Sequence, residues 1–190
     1  MRDFLEAAVM DDTTRSFGAK CYAIESLCPG DIEKYRALRR HGLELHPEAF
    51  GETAAHFSGV ASAQIVSRLQ SAERRGGFIL VAKDSADEFV GTVGLAVPEA
   101  EKMAHRASLW GMFVEPRARG AGLGRQLVEE CLGRARAVPS LKLVTLAVVT
   151  TNEAALQLYR TVGFRVYGTD PAVLKVGERF YDEYLMVCDL

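Results

Sequence analysis

Hydrophobic and polar positions divide the chain into short segments of alternating period. Cys21 to Leu27 reads as a short strand, after which Pro29-Gly30-Asp31 turns the chain. Ile32, Tyr35, Leu38 and Arg39 then follow helical spacing, with Asp31 placed to cap that helix. The stretch His46-Pro47-Glu48-Ala49-Phe50-Gly51 breaks it, and Ser58 to Glu73 predicts a second helix with Val60, Ile65, Val66 and Leu69 on one face. Gly77 to Ala82 and Phe89 to Val97 read as two strands joined by a polar turn over Asp84 to Glu88, an antiparallel hairpin. Another apolar run covers Arg106 to Val114. The helix predicted over Gly122 to Ala137 gathers Leu123, Leu127, Val128, Cys131, Leu132 and Ala135 on one side and Arg125, Glu129, Glu130, Arg134 and Arg136 on the other. Leu141 to Val149 is apolar on both alternating faces, which suits a strand in the middle of a helix-covered sheet and makes the preceding unit a βαβ crossover. A last helix runs from Asn152 to before Gly163, and Phe164 to Tyr167 and Phe180 to Val187 supply two closing strands. Residues 1–20 show no sustained period and are read as an extension, leaving one domain over 21–190.

Composition narrows the function classes. The chain has 190 residues, 48% of them hydrophobic, with 23 Lys and Arg against 25 Asp and Glu. That length suits one sizeable core. The even charge balance lacks the cationic surplus that phosphate-backbone binding requires, so no nucleic-acid partner is expected. With no apolar run long enough to span a bilayer and an acidic, interrupted N-terminus, no membrane association is expected either, and the expected compartment is cytoplasmic. Cysteines at 21, 28, 131 and 188 and histidines at 41, 46, 56 and 105 match no zinc or redox spacing. They read as reduced thiols and ordinary imidazoles, and no metal is expected.

The chemistry concentrates in Val114-Glu115-Pro116-Arg117-Ala118-Arg119-Gly120-Ala121-Gly122-Leu123-Gly124-Arg125, between a strand and an amphipathic helix. Glycines at alternate positions let the backbone approach a ligand and turn its N–H groups inward, while the helix aims its positive end at the same point; an anion belongs there. A nucleotide-triphosphate P-loop would need Gly-Lys-Ser/Thr where Gly124-Arg125-Gln126 stands. A dinucleotide-binding turn would come earlier in the fold and with different glycine spacing.

This stretch resembles the Arg/Gln-x-x-Gly-x-Gly/Ala signature of the GNAT superfamily of N-acetyltransferases. It fits in two overlapping registers, Arg117-x-x-Gly120-x-Gly122 and Arg119-x-x-Gly122-x-Gly124, of which the first keeps the family's phase with the upstream Val-x-Pro. Downstream, Asn152-x-x-Ala155-x-x-Leu158-Tyr159 with Gly163-Phe164 is similar to the family's second motif. The resemblance covers about 21–190. It implies an α/β (α+β) domain whose central sheet is mixed, mostly antiparallel and twisted, with a splayed parallel strand pair and flanking helices. It further implies that Arg119, Gly120, Ala121, Gly122, Leu123, Gly124 and Arg125 hold the pyrophosphate of acetyl-CoA and that Asn152 binds its pantetheine arm. Met112, Phe113 and Val114 would pair with that arm through their backbones, with the N–H of Met112 or Phe113 polarising the thioester carbonyl. Gly111 fits the bulge that opens the splay.

The implied activity is acetyl transfer from acetyl-CoA to a primary amine of a small molecule or protein, by direct attack in a ternary complex. The resemblance places Tyr159 near the thioester sulfur, where a phenol can hydrogen-bond or protonate the departing thiolate. Glu44, His46, Glu48, His105, Asp182 and Glu183 are candidates for the base. The alternative is a non-catalytic acyl-CoA-binding module, which would need the glycine loop but not Tyr159. The family's habit of pairing through its C-terminal strands makes a homodimer plausible.

Overall fold

The computed structural model describes residues 22–190, so the first twenty residues, read above as an extension, and Cys21 lie outside the described residues. Seven strands form one sheet in the order β1-β2-β3-β4-β5-β7-β6. The strands are β1 (Ala23–Ser26), β2 (Phe78–Lys83), β3 (Phe89–Ala96), β4 (Arg106–Val114), β5 (Leu143–Val149), β6 (Arg165–Val176) and β7 (Arg179–Asp189). All neighbours are antiparallel except β4 and β5. The helices are α1 (Ile32–Leu45), α2 (Ala54–Gly59), α3 (Ser62–Glu73), α4 (Leu123–Arg136) and α5 (Glu153–Thr161). None is long and apolar enough to cross a membrane.

The sheet separates two cores. On one side the predicted apolar face of α4, with Leu123, Leu127, Val128, Cys131, Leu132 and Ala135 all buried, packs with Leu156 and Tyr159 of α5 against Val144, Leu146 and Val148. On the other, Tyr35, Leu38 and Leu43 of α1 and Ile65 and Leu69 of α3 pack on Ile79, Val81 and Phe113. A strand flanked in this way has no solvent face. This accounts for the continuous apolar run of β3, while β5, buried over most of its length, exposes Ala147.

The structure departs from the sequence reading in three places. The single helix expected over 58–73 is two, α2 and α3. Thr53 Oγ1 accepts from the His56 N–H and starts α2 early, and Val60 is extended and buried, with its carbonyl taken by the Arg36 guanidinium. Asp31 occupies the cap position of α1 without a side-chain cap; its carboxylate lies 3.9 Å from Lys83 Nζ. The closing strands are far longer than their apolar stretches, because β6 continues through Gly168 to Val176. There Asp182 accepts from the Ala172 N–H at 2.8 Å and stabilises the irregularity between Asp170 and Leu174.

Two features of β4 position the site. Its parallel pairing with β5 stops after Arg106–Ser108 opposite Leu143–Thr145, and beyond that point the strands separate. Against β3 the register slips between Thr92 and Gly94, so that one residue, Val93, faces both Gly111 and Met112. Gly111 takes φ +64° in this bulge, a conformation that costs a side-chain-bearing residue roughly 1–2 kcal/mol.

Candidate active site

The splay opens a cleft of about 490 Å³. Met112, Phe113 and Val114 form one wall, Ala147, Val148 and Val149 the other, with Asn152, Leu158 and Tyr159 behind and the loop from Arg119 to Arg125 at one end. His46, Ala49 and Phe50 close the opposite side. Of the loop and wall residues expected from the sequence, Ala121 is not among those lining the cleft.

The glycine loop is shaped as an anion cradle. Gly120 and Gly122 have φ of +81° and +78°, and a Cβ added at either would meet nothing within 4 Å, so both positions open onto free space. The first intrahelical bond of α4 runs from the Gln126 N–H to the Gly122 carbonyl. The N–H groups of Leu123, Gly124 and Arg125 therefore have no helical acceptor and remain available at the positive end of a 14-residue helix. The glycines with left-handed backbone are those of the first sequence register, yet its Arg117 pairs with Asp84 at 2.6 Å, and it is Arg119 that lines the cleft. These features fit the pyrophosphate of acetyl-CoA.

The β3–β4 register decides which backbone groups face the gap. The Glu115 N–H donates to the Val90 carbonyl, and Thr92 pairs with Phe113 in the same register. By alternation Phe113 spends its N–H on β3, while Met112 and Val114 turn theirs toward the gap. Of the two donors expected for the thioester carbonyl, this leaves Met112. The Val114 carbonyl already accepts from Arg119 Nε at 2.9 Å.

Arg119 also ties the two ends of the cleft together. Its Nη2 lies 3.0 Å from His46 Nε2, and an arginine has only donors to offer, so Nε2 is the acceptor and the His46 proton sits on Nδ1, toward Glu48 at 3.5 Å. His46 is the one candidate base that lines the cleft. Glu44 pairs with Arg40 on the surface, and Asp182 is occupied by Ala172. Glu183 stands on β7 opposite Val149, its carboxyl pushed up first by burial and then by Asp170.

Behind the cleft, Asn152 Oδ1 accepts from the Ala155 N–H at 3.1 Å and caps α5, which leaves its amide NH2 as the group free for a ligand. Tyr159, on the same helix, is 6% exposed and packs edge-on against Phe164 with ring centroids 5.8 Å apart. Burial, with Cys131 nearby, pushes its phenol far above the ordinary tyrosine value, so it stays protonated. Burial likewise pushes the Cys131 thiol up to about 12, an inert group.

A residue that sequence reasoning assigned only to the helical pattern lies against the floor. Arg39 is 5% exposed and stacks on Phe50 at 4.6 Å and Trp110 at 6.0 Å, both cleft-lining. A buried cation is the signal that could have singled it out, but only the fold shows it to be buried.

Comparison with known proteins agrees with this geometry. Residues 39–164 match the model of the acetyltransferase (GNAT) family. An L-methionine sulfoximine/L-methionine sulfone acetyltransferase of Pseudomonas aeruginosa is 30% identical over 140 residues, covering 73% of this chain and 79% of that protein. Among solved structures, a GNAT-family acetyltransferase from Streptococcus pneumoniae superposes with a TM-score of 0.80 at 25% identity, over 89% of this chain and 99% of the other. A phosphinothricin acetyltransferase from Sinorhizobium meliloti, solved with acetyl-CoA, shares the fold with a TM-score of 0.78 at 19% identity, over 89% and 88% of the two chains. Loop, splayed strands and matched segment coincide: the chain belongs to the acetyltransferase (GNAT) family.

Proposed function

We propose that this acetyltransferase moves an acetyl group from acetyl-CoA to the primary amine of a small molecule, by direct attack within a ternary complex. The observation that carries the reading is the convergence of the glycine loop, the unpaired edge of β4 and Tyr159 on one cleft. Bound acetyl-CoA supplies an acetyl group already activated as a thioester. The unpaired N–H groups at the start of α4, with Arg119 and Arg125, hold the pyrophosphate. The Met112 N–H donates to the acetyl carbonyl and stabilises negative charge as the amine attacks. As the new C–N bond forms and the C–S bond breaks, the protonated phenol of Tyr159 donates to the leaving sulfur. Asn152 orients the arm that joins the two ends. Cys131, buried and protonated, is a poor nucleophile and takes no part.

Tyr159 also favours the enzyme over a non-catalytic acyl-CoA-binding module, which would have no use for a protonated donor beside the open end of the splay. Within the cell we place the protein in the cytoplasm, and we assign its homodimer contact to the β6–β7 hairpin. Among the described residues strand β6 is an unpaired sheet edge, and Val166, Tyr167, Val173 and Phe180 on this hairpin are exposed.

The reading is tested by isothermal titration with acetyl-CoA, comparing the wild type with a Gly120→Glu/Gly122→Glu variant. Saturable binding lost in a variant that keeps its far-ultraviolet circular dichroism supports the donor site. A folded wild type that binds neither acetyl-CoA nor CoA overturns it.

A further inference from the structure

Arg39 is left incompletely satisfied by everything around it. Its Nη1 is fully buried and has no hydrogen-bond partner, and among the described residues no other buried side-chain nitrogen or oxygen is in that position. The nearest carboxylate, Glu52, approaches Nη2 only at 3.9 Å and is shared with His56 at 3.1 Å. A buried guanidinium N–H that faces no acceptor is costly and calls for a partner. Phe50 and Trp110 cover the guanidinium, an arrangement that leaves its N–H edges to make in-plane hydrogen bonds.

The side of the cleft nearest to Nη1 follows from Gly111. A Cβ at that residue would stand 3.7 Å from Nη1, in ordinary van der Waals contact, so the guanidinium lies directly against the backbone of a residue that lines the cleft. Gly111 directly precedes Met112, whose N–H faces the gap. An anion paired with Arg39 would therefore lie near Phe50, Trp110 and Gly111, next in sequence to the N–H proposed to hold the acetyl carbonyl.

We propose that Arg39 is the receptor for a carboxylate on the acceptor, and that the acceptor is an α-amino acid. An amino group placed to attack at Met112 while its own molecule's anion pairs with Arg39 must carry the two groups close together. In an α-amino acid a single carbon separates them. The planar carboxylate also matches the paired N–H groups of a guanidinium, which a phosphate or an amide matches less well. This inference rests on the acetyltransferase reading above and adds the chemical class of the acceptor and the residue that selects it.

The test uses the twenty standard L-amino acids and L-methionine sulfone, each as the free acid and as its carboxamide, with acetyl-CoA as donor. The wild type is expected to prefer at least one acid to its amide by tenfold or more in kcat/KM. Arg39→Met abolishes that preference and Arg39→Lys keeps part of it, whereas a purely structural arginine would lower both rates together and leave their ratio alone. Binding is read separately in the presence of CoA through the fluorescence of Trp110, the chain's one tryptophan. The acids are expected to shift its emission and the amides to leave it unchanged. Should Arg39→Met fail to fold, the acid-to-amide ratio and the Trp110 titration of the wild type decide. Equal use of acids and amides overturns the proposal, as does an unchanged ratio in Arg39→Met. Acetyl-CoA binding with no amino acid bound or acetylated overturns it too, but leaves the acetyltransferase reading standing. Absence of acetyl-CoA binding strikes that reading instead.

Discussion

At the scale of single residues the proposed mechanism separates groups that hold from the group that donates. Tyr159 is enclosed by Phe164 and the α4 face, and this burial keeps its proton on the oxygen. Replacing it with phenylalanine keeps the packing and removes the donor. Tyr159→Phe is therefore expected to lower kcat by about 10²-fold or more while the acetyl-CoA dissociation constant measured by titration stays within error. The same burial fixes a pH expectation. An ordinary tyrosine ionises near about pH 10, and since the Tyr159 value lies above that, kcat shows no loss from its ionisation at any lower pH. Much at this scale was legible in the sequence. Gly120, Gly122 and Asn152 announce themselves by what the local backbone or a helix cap demands, and Tyr159 stands out through the family resemblance. Arg39 did not, since its importance comes from what surrounds it, namely Phe50 eleven positions later and Trp110 on strand β4. Nor could the sequence say that Arg117 would turn to Asp84 and leave the cleft to Arg119.

At the scale of elements, α4 both presents the anion cradle and anchors the sheet beneath it. Leu127 is fully buried against β3, so Leu127→Ala is expected to cost about 3 kcal/mol, read as a lower denaturation midpoint in urea. The helix N-terminus is thereby tied to the core. The elements read correctly from the sequence are those whose period is enforced by burial: α1, α4, α5 and strands β2 to β5. The misread ones obey other rules. The break between α2 and α3 is set by the Thr53 cap and by the capture of the Val60 carbonyl by Arg36, neither of which alters the apolar spacing. The extension of β6 through polar residues and Pro171 follows from pairing with β7, so its hydrogen bonds, not its hydrophobicity, make it a strand. The splay of β4 and β5 was foreseen through family resemblance. The backbone directions that turn the Met112 N–H rather than that of Phe113 toward the gap needed the register itself.

At the scale of the whole molecule, the free edge of β6 and the exposed Tyr167 and Phe180 predict self-association. Light scattering at micromolar concentration is expected to give twice the monomer mass, and Phe180→Asp to return the protein to a monomer. A wild-type monomer under these conditions would sink the assignment. The same scale gives the short seam between β4 and β5 a wider meaning. Four strands lie on one side of it and three on the other, and their main chains meet across it over a short stretch, Arg106–Ser108 with Leu143–Thr145 and the Lys142 N–H on the His105 carbonyl. The sheet is in effect two ribbons sharing a selvedge, and a ligand that fills the open part of the seam takes the place of the missing stitches. Between them the shared core under α4 supplies the rest of the join, so that a ligand in the seam would add its own hydrogen bonds to a sheet already bound from beneath.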